Sequence, residues 1–167
     1  NSGKNLLAMI NDLLEMAKME SGKVELHIEK TSIPELCRGL VAFFSPLTEK
    51  QKLKVRLSTD ESMPLIKTDA GKVQQILYNL FSNAVKFTPE NGKIEVKAYM
   101  PDPLTVRIAI SDTGPGIAEK DREKIFEKFR QLDGSLTRTQ PGTGLGLAIS
   151  LELAKLLSGK IGLESAE

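Results

Sequence analysis

The sequence predicts an α+β fold, a two-layer sandwich in which a mixed sheet carries helices on one face, preceded by one further helix. Three observations lead there. Residues 4–20 and 70–87 repeat apolar side chains every three or four positions, as helices with one buried face do. Residues 53–60, 93–100 and 104–112 instead alternate apolar and polar, as half-buried strands do. The two patterns are interleaved along the chain, which calls for one sheet covered by helices on one face. A length of 167 residues suits one domain with a short appendage.

Each element has a local reason. In "KNLLAMINDLLEMAKME", residues 4–20, Leu6, Leu7, Ile10, Leu13, Leu14 and Ala17 form an apolar stripe, and Ser21-Gly22 stops the helix. "KVELHIE", residues 23–29, alternates as a strand. "SIPELCRGLVAFFSPLTEKQK" reads as a helix with Ser32 as cap, Pro34 in its first turn and a kink at Pro46. "LKVRLSTD" is a strand. Asp69 caps the helix over residues 70–87, and "TPENG" ends it with turn chemistry. "KIEVKAYM" and "LTVRIAISD" form a hairpin. "AEKDREKIFEKF", residues 118–129, is a short helix. Residues 130–144 are polar and rich in Gly, Thr and Ser without periodicity, the pattern of a mobile loop. "LGLAISLELAKLLSG" is the last helix, and "KIGLES" opens a strand.

Composition narrows the function. The chain is 40% hydrophobic and 27% charged, ordinary for a globular protein, and its net charge of +1 gives no reason to expect nucleic acid as partner. The single cysteine, Cys37, allows neither an intrachain disulfide nor a cysteine-based zinc site, and suits a reducing compartment. No apolar run approaches the roughly 20 residues that span a bilayer. The first residue is Asn rather than Met, so the chain is expected to be part of something longer.

Three stretches carry chemistry. Asn79, Asn83 and Lys86 fall within roughly 60° of arc on one helix face, at about 100° per residue. An Asn carbonyl oxygen suits Mg²⁺, a hard cation, and Asn or Lys can reach phosphate oxygens. A solvated helix face is the plainer account. In "ISDTGPGI", residues 110–117, Asp112 ends a strand and can accept from an exocyclic amino group such as that of adenine. Gly114 and Gly116, without Cβ atoms, would let backbone approach a flat ring. A strand-ending turn also favours Asp and Gly. Finally, "GTGLGL", Gly142 to Leu147, opens a helix and can offer backbone N–H groups to phosphate. Its spacing matches neither the dinucleotide fingerprint nor the P-loop.

In that order the stretches resemble the ATP-binding catalytic domain of two-component sensor histidine kinases. Their wider superfamily includes DNA gyrase, the large heat-shock chaperone and mismatch-repair ATPases. "NLFSNAVKFT" is similar to the family's N box, "DTGPGI" to its first Gly box, "IFEKF" to its Phe box and "GTGLGLAIS" to its second Gly box. The resemblance covers essentially residues 1–164, and residues 129–147 are especially similar to kinases that carry extra receiver domains. It implies a Bergerat-type ATP-binding fold and the cofactors ATP and Mg²⁺. Asn79 would coordinate Mg²⁺, Asn83 would lie between phosphate and ribose, and Lys86 near the phosphates. Asp112 would bind the adenine amino group, with Gly114, Gly116 and Ile117 seating the ring. Phe126 and Phe129 would anchor a lid at about residues 130–144, and Arg138 would reach the γ-phosphate when it closes. Gly142, Gly144 and Gly146 would hinge the lid and meet the phosphates, and Thr143, Leu145 and Leu147 would belong to the same ATP-binding stretch.

The resemblance also implies partners: a phosphoacceptor hairpin of the same parent protein, a response-regulator receiver domain, no nucleic acid, and a homodimeric parent in the cytoplasm or on a membrane-anchored sensor's cytoplasmic side. Residues 1–22 would be the C-terminal part of the second hairpin helix, and residues 23–167 the catalytic domain with its last strand cut short. The family's acceptor histidine is followed by an acid. The one histidine here, His27, is followed by Ile28 in a strand-like segment, so it is read as structural and the acceptor as lying upstream. Three other readings stand beside the kinase, of which a serine kinase acting on an anti-sigma-type partner is disfavoured by the hairpin-like first helix. An ATP-hydrolysing switch would need a catalytic Glu beside Tyr78 or Asn79, and "QQILYNLFSNA" holds no acid. A nucleotide-binding switch or interaction module without kinase activity is the remaining alternative.

Overall fold

The structure, a computed structural model, describes residues 2–128 and 144–165. In chain order its elements are α1 (Ser2–Glu20), β1 (Glu29–Thr31), α2 (Ile33–Lys50), β2 (Lys54–Thr59), β3 (Ile66–Thr68), α3 (Ala70–Phe87), β4 (Lys93–Asp102), β5 (Thr105–Asp112), two 3₁₀ turns at Glu119–Asp121 and Lys124–Phe126, and α4 (Gly146–Leu156). They divide into two compact units, His27–Pro115 and the combination of Asn1–Leu26 with Gly116–Glu167.

The first unit is helices on a mixed sheet. Strand β4 is central, parallel to β2 and antiparallel to β5. Ile94, Val96 and Ala98 of β4 are buried, and in the register they stand opposite Asp112, Ile110 and Ile108 of β5. Cross-strand partners share a face, so Val106, Ile108, Ile110 and Asp112 form one stripe on the side of the helices. Helices α2 and α3 cover that side. Ser32 caps α2 by accepting the Glu35 N–H at 3.3 Å, and the helix runs on through Pro46 to Lys50. Phe44 of α2 meets Phe81 of α3 with ring centroids 5.0 Å apart. Ile33, Cys37, Leu40, Phe81, Val85, Ile94 and Val96 are fully buried there. Each large side chain so buried contributes about 1.5–3 kcal/mol relative to exposure.

Helix α3 has a defined start and stop. Asp69 Oδ1 accepts the Lys72 N–H at 3.1 Å, and Oδ2 accepts the His27 N–H at 2.9 Å. At the far end Thr88 adopts an extended backbone, and its N–H and hydroxyl both donate to the Ala84 carbonyl. Asn91 then takes a positive φ of 67° in the turn to β4.

In the other unit α1 and α4 contact each other, and α4 also contacts the second 3₁₀ turn. Met16 of α1 is buried, as are Leu145, Ile149 and Leu153 at and within α4. Residues 160–165 are tied to the segment after β5. The Ile117 N–H donates to Ser165 Oγ at 2.8 Å, and the Arg122 guanidinium donates to the carbonyl oxygens of Ile117 and Ser165. Among the described residues no helix is long and apolar enough to cross a membrane.

Four local expectations change. The strand expected over residues 23–29 is confined to Glu29–Thr31, because the His27 N–H is taken by the Asp69 carboxylate rather than by a neighbouring strand. Its partner β3, unanticipated, is three residues long, too short for an alternating pattern to register. The helix expected over 118–129 is two 3₁₀ turns over its described part, since Glu119, Lys120, Asp121, Arg122 and Glu123 supply charge but no apolar stripe. Residues 160–165 form no strand, their contacts being side-chain-mediated bonds to Ile117 and Arg122.

Candidate functional site

The polar stripe of α3 is intact in the first unit. Asn79, Asn83 and Lys86 are all half-buried on a helix whose opposite face carries the buried Leu77, Phe81, Ala84 and Val85. Lys86 stands over the Phe87 ring, 5.5 Å from its centroid. Burial holds its ammonium below the ordinary lysine value. A cation kept partly out of water beside two amide side chains attracts anionic oxygens more strongly than an exposed lysine does. Toward the N-terminus of α3, Gly71, Gln74, Gln75 and Tyr78 line a shallow concavity together with Asn79. Sequence reading missed these four, although spacings of three and four residues from Gly71 to Asn79 place them along one side of the helix.

Asp112 is the last inward position of β5, where the apolar stripe of Val106, Ile108 and Ile110 gives way to a carboxylate. The Gly114 N–H donates to its Oδ1 at 2.8 Å. A Cβ on residue 114 would lie 2.7 Å from that oxygen and 3.1 Å from the carbonyl oxygen of Phe87, the residue after Lys86. The D-T-G turn therefore rests on the C-terminal end of α3. One carboxylate oxygen is committed to the turn. Among the described residues Oδ2 takes no hydrogen bond, which leaves it as an acceptor at an exposed strand end. The glycine at 114 was read as clearance for a ligand; its immediate structural cause is the approach of Asp112 and Phe87.

The remaining candidates belong to the other unit. Gly116 and Gly144 have φ values of 76° and 73°, which side chains with a Cβ rarely adopt. Ile117 and Phe126 are half-buried, and Phe126 ends the second 3₁₀ turn. Leu145 is the fully buried cap residue of α4, with Gly146 and Leu147 in the first turn of that helix. Phe129, Arg138, Gly142 and Thr143, with all of the lid expected at about 130–144 except Gly144, lie outside the described residues.

An implied Mg²⁺ can be tested against the donor set. Asn79 offers one hard amide oxygen, and among the described residues no group of three His, Cys, Asp or Glu side chains could hold a metal ion. That set fits an ion held chiefly by phosphate oxygens and water, with one protein ligand.

Known proteins resemble the chain as a whole. The family described as "Histidine kinase-, DNA gyrase B-, and HSP90-like ATPase" matches residues 68–167. The "Non-motile and phage-resistance protein" of Caulobacter vibrioides is 36% identical over 168 residues, which is 99% of this chain and 20% of that protein. The chain thus spans about a fifth of that curated relative. Among solved structures, full-length ShkA in complex with AMPPNP has a TM-score of 0.86 at 35% identity, covering 99% of this chain and 34% of that one. The catalytic domain of histidine kinase ThkA has a TM-score of 0.68 at 31% identity, covering 78% of this chain and 82% of that one. ThkA in complex with the response regulator protein TrrA has a TM-score of 0.74 at 28% identity, covering 96% of this chain and 43% of that one.

Proposed function

The chain belongs to the histidine kinase-, DNA gyrase B- and HSP90-like ATPase family, and from that premise we propose that it binds Mg-ATP and donates the γ-phosphate to a histidine on a dimerisation and phosphoacceptor hairpin of its parent protein. The observation that carries the reading is the D-T-G turn. It holds a carboxylate with one oxygen outward, against the end of the helix that bears Asn79, Asn83 and Lys86. An acceptor-only group suits the adenine amino N–H, and a stripe of amides and an ammonium suits phosphates.

Asp112 Oδ2 accepts from the adenine amino group, and Gly114, Gly116 and Ile117 seat the ring. Asn83 bonds between ribose and phosphate. Lys86 neutralises phosphate charge, and Arg138 reaches the γ-phosphate. Gly142, Thr143, Gly144, Leu145, Gly146 and Leu147 are assigned to phosphate binding, and Phe126 and Phe129 to the base of the lid, by their motifs. Asn79 holds Mg²⁺, which when bound neutralises phosphate charge. In the transfer an imidazole nitrogen bonds to the γ-phosphorus, the bond to the β-phosphate oxygen breaks, and ADP leaves. The protein's share is positioning and charge stabilisation. The phosphoryl group then passes to a response-regulator receiver domain, and the parent acts as a cytoplasmic or membrane-anchored homodimer. The apolar stripe of α1, with Leu6, Leu7, Ile10, Leu13 and Leu14 exposed, is the part proposed to belong to the hairpin.

Calorimetric titration with ADP and Mg²⁺ tests the site. Asp112→Asn is expected to weaken binding by at least about tenfold, the value of a hydrogen bond to a charged group. Unchanged affinity sinks the assignment. Mixing the chain with a separately made hairpin and labelled ATP tests transfer. Nucleotide binding without transfer would favour a binding switch.

A further inference from the structure

Thr113 lies between two residues with assigned roles and has none itself. Its N–H donates to the Lys93 carbonyl at 3.0 Å, and its Oγ1 accepts the Lys93 N–H at 2.9 Å. Backbone and side chain together close a ring onto the first residue of β4. The same hydroxyl oxygen stands where residue 92 has no room: a Cβ on Gly92 would overlap Thr88 Cγ2 and lie 2.8 Å from the Pro89 carbonyl oxygen and 3.0 Å from Thr113 Oγ1. Thr88 is the cap that ends α3, two residues after Lys86. One hydroxyl thus bonds the start of β4 and lies next to Gly92 in the turn leaving α3, and its residue sits between Asp112 and Gly114, which are bonded to each other at 2.8 Å.

We infer that Thr113 is a positioning residue for nucleotide recognition, whose hydroxyl, by accepting the Lys93 N–H, fixes the D-T-G turn and so aims Asp112 Oδ2 at the exocyclic amine of adenine. The inference rests on the adenine-nucleotide reading of the site. Beyond that reading it adds a residue that touches no ligand and sets base specificity through its neighbour. Without the Oγ1 acceptor, the Lys93 N–H loses its partner at the sheet end, and the turn loses the one side-chain tie from Thr113 to β4. The carboxylate then samples more than one direction, and a directional hydrogen bond to the base suffers before a charge interaction with phosphate does.

The test compares Thr113→Val, which keeps the shape and removes the acceptor, with Thr113→Ser, which keeps the acceptor. Each is titrated with ADP and with inosine diphosphate, which lacks the exocyclic amine, in the presence of Mg²⁺. The expected result is a loss of about five- to tenfold in ADP affinity for Thr113→Val, the value of one hydrogen bond. Thr113→Ser should stay near wild type, and the weaker inosine diphosphate affinity should be unchanged in both. Equal losses for ADP and inosine diphosphate would make Thr113 merely structural and overturn the inference, as would unchanged ADP binding in Thr113→Val. If Thr113→Val does not fold, Thr113→Ala, which also removes the acceptor, takes its place: an ADP loss without an inosine diphosphate loss supports the inference, and equal losses or none overturn it. A folded wild-type chain that binds neither nucleotide would remove the site reading itself, a different failure from loss of the Thr113 effect alone.

Discussion

A methyl group on residue 114 would stand 2.7 Å from Asp112 Oδ1 and 3.1 Å from the Phe87 carbonyl oxygen, with backbone on one side and the Asp112 carboxylate on the other. The backbone cannot yield cheaply, so the carboxylate turns away. Gly114→Ala is therefore expected to lower ADP affinity by about tenfold or more while destabilising the fold by about 1–3 kcal/mol, the usual range for overpacking. Wild-type ADP affinity in a folded Gly114→Ala chain would show that Asp112 does not depend on this contact. The Asp and the glycines could be read from the sequence; the Phe87 contact could not, because it joins a strand end to a helix end through tertiary packing, and no local pattern encodes it. Cys37 makes a second residue-scale case. Burial pushes its thiol up to about 11, against a smaller opposing effect of the Arg38 charge. At pH 8 about one thiol in a thousand is then ionised, and the side chain is fully buried. A thiol-reactive dye should label Cys37 only as the fold opens; stoichiometric labelling of native protein within minutes would contradict the burial.

Helix α3 was legible end to end, because three independent signals coincide: an acidic cap at Asp69, an apolar face at helical spacing, and turn chemistry at residues 88–92. Strand β3 was not legible, since three residues cannot establish an alternation. The cap also joins elements, as Asp69 receives the His27 N–H as well as that of Lys72. Burial by itself would raise the Asp69 carboxyl, but those two donors outweigh it and hold the group below the ordinary carboxylate value. With the folded value depressed, the stabilisation is fully present above the unfolded value of about 3.9 and is lost as pH falls through the folded one. Asp69→Ala is expected to destabilise by about 1–2 kcal/mol at pH 7, as removal of a cap with a second bond does. Asp69→Asn should retain much of the cap and lose part of the acid dependence that sets in as pH falls below about 4. Urea midpoints measured across that range would settle the point, and a wild-type acid profile in Asp69→Asn would assign the dependence to other carboxylates.

At the scale of the whole molecule, interleaved helix and strand patterns revealed a sheet with helices on one face, but not that Asn1–Leu26 and Gly116–Glu167 belong to one unit and His27–Pro115 to the other. Local periodicity reports which face an element buries and is silent on which distant element buries it. The division has a physical consequence. The main apolar cluster of the described residues runs from Ile33 to Ala98 and lies wholly inside His27–Pro115, as do the five strands found among the described residues and their pairings. A fragment of residues 27–115 therefore keeps its core, its caps at Ser32 and Asp69, and every ladder hydrogen bond. It is expected to fold alone, in one urea transition that coincides whether followed by circular dichroism or by Cys37 labelling. Phe81, fully buried between α2 and the sheet, is the side chain whose loss should be felt most. Phe81→Ala removes a ring from a site walled by Phe44 and its neighbours and should cost about 3–5 kcal/mol. That is much of the 5–15 kcal/mol on which small domains rest, so the substituted fragment should be partly unfolded without denaturant. A fragment whose Cys37 labels freely in buffer, or whose two probes give separate midpoints, would mean that the residues outside 27–115 are required to hold this core together.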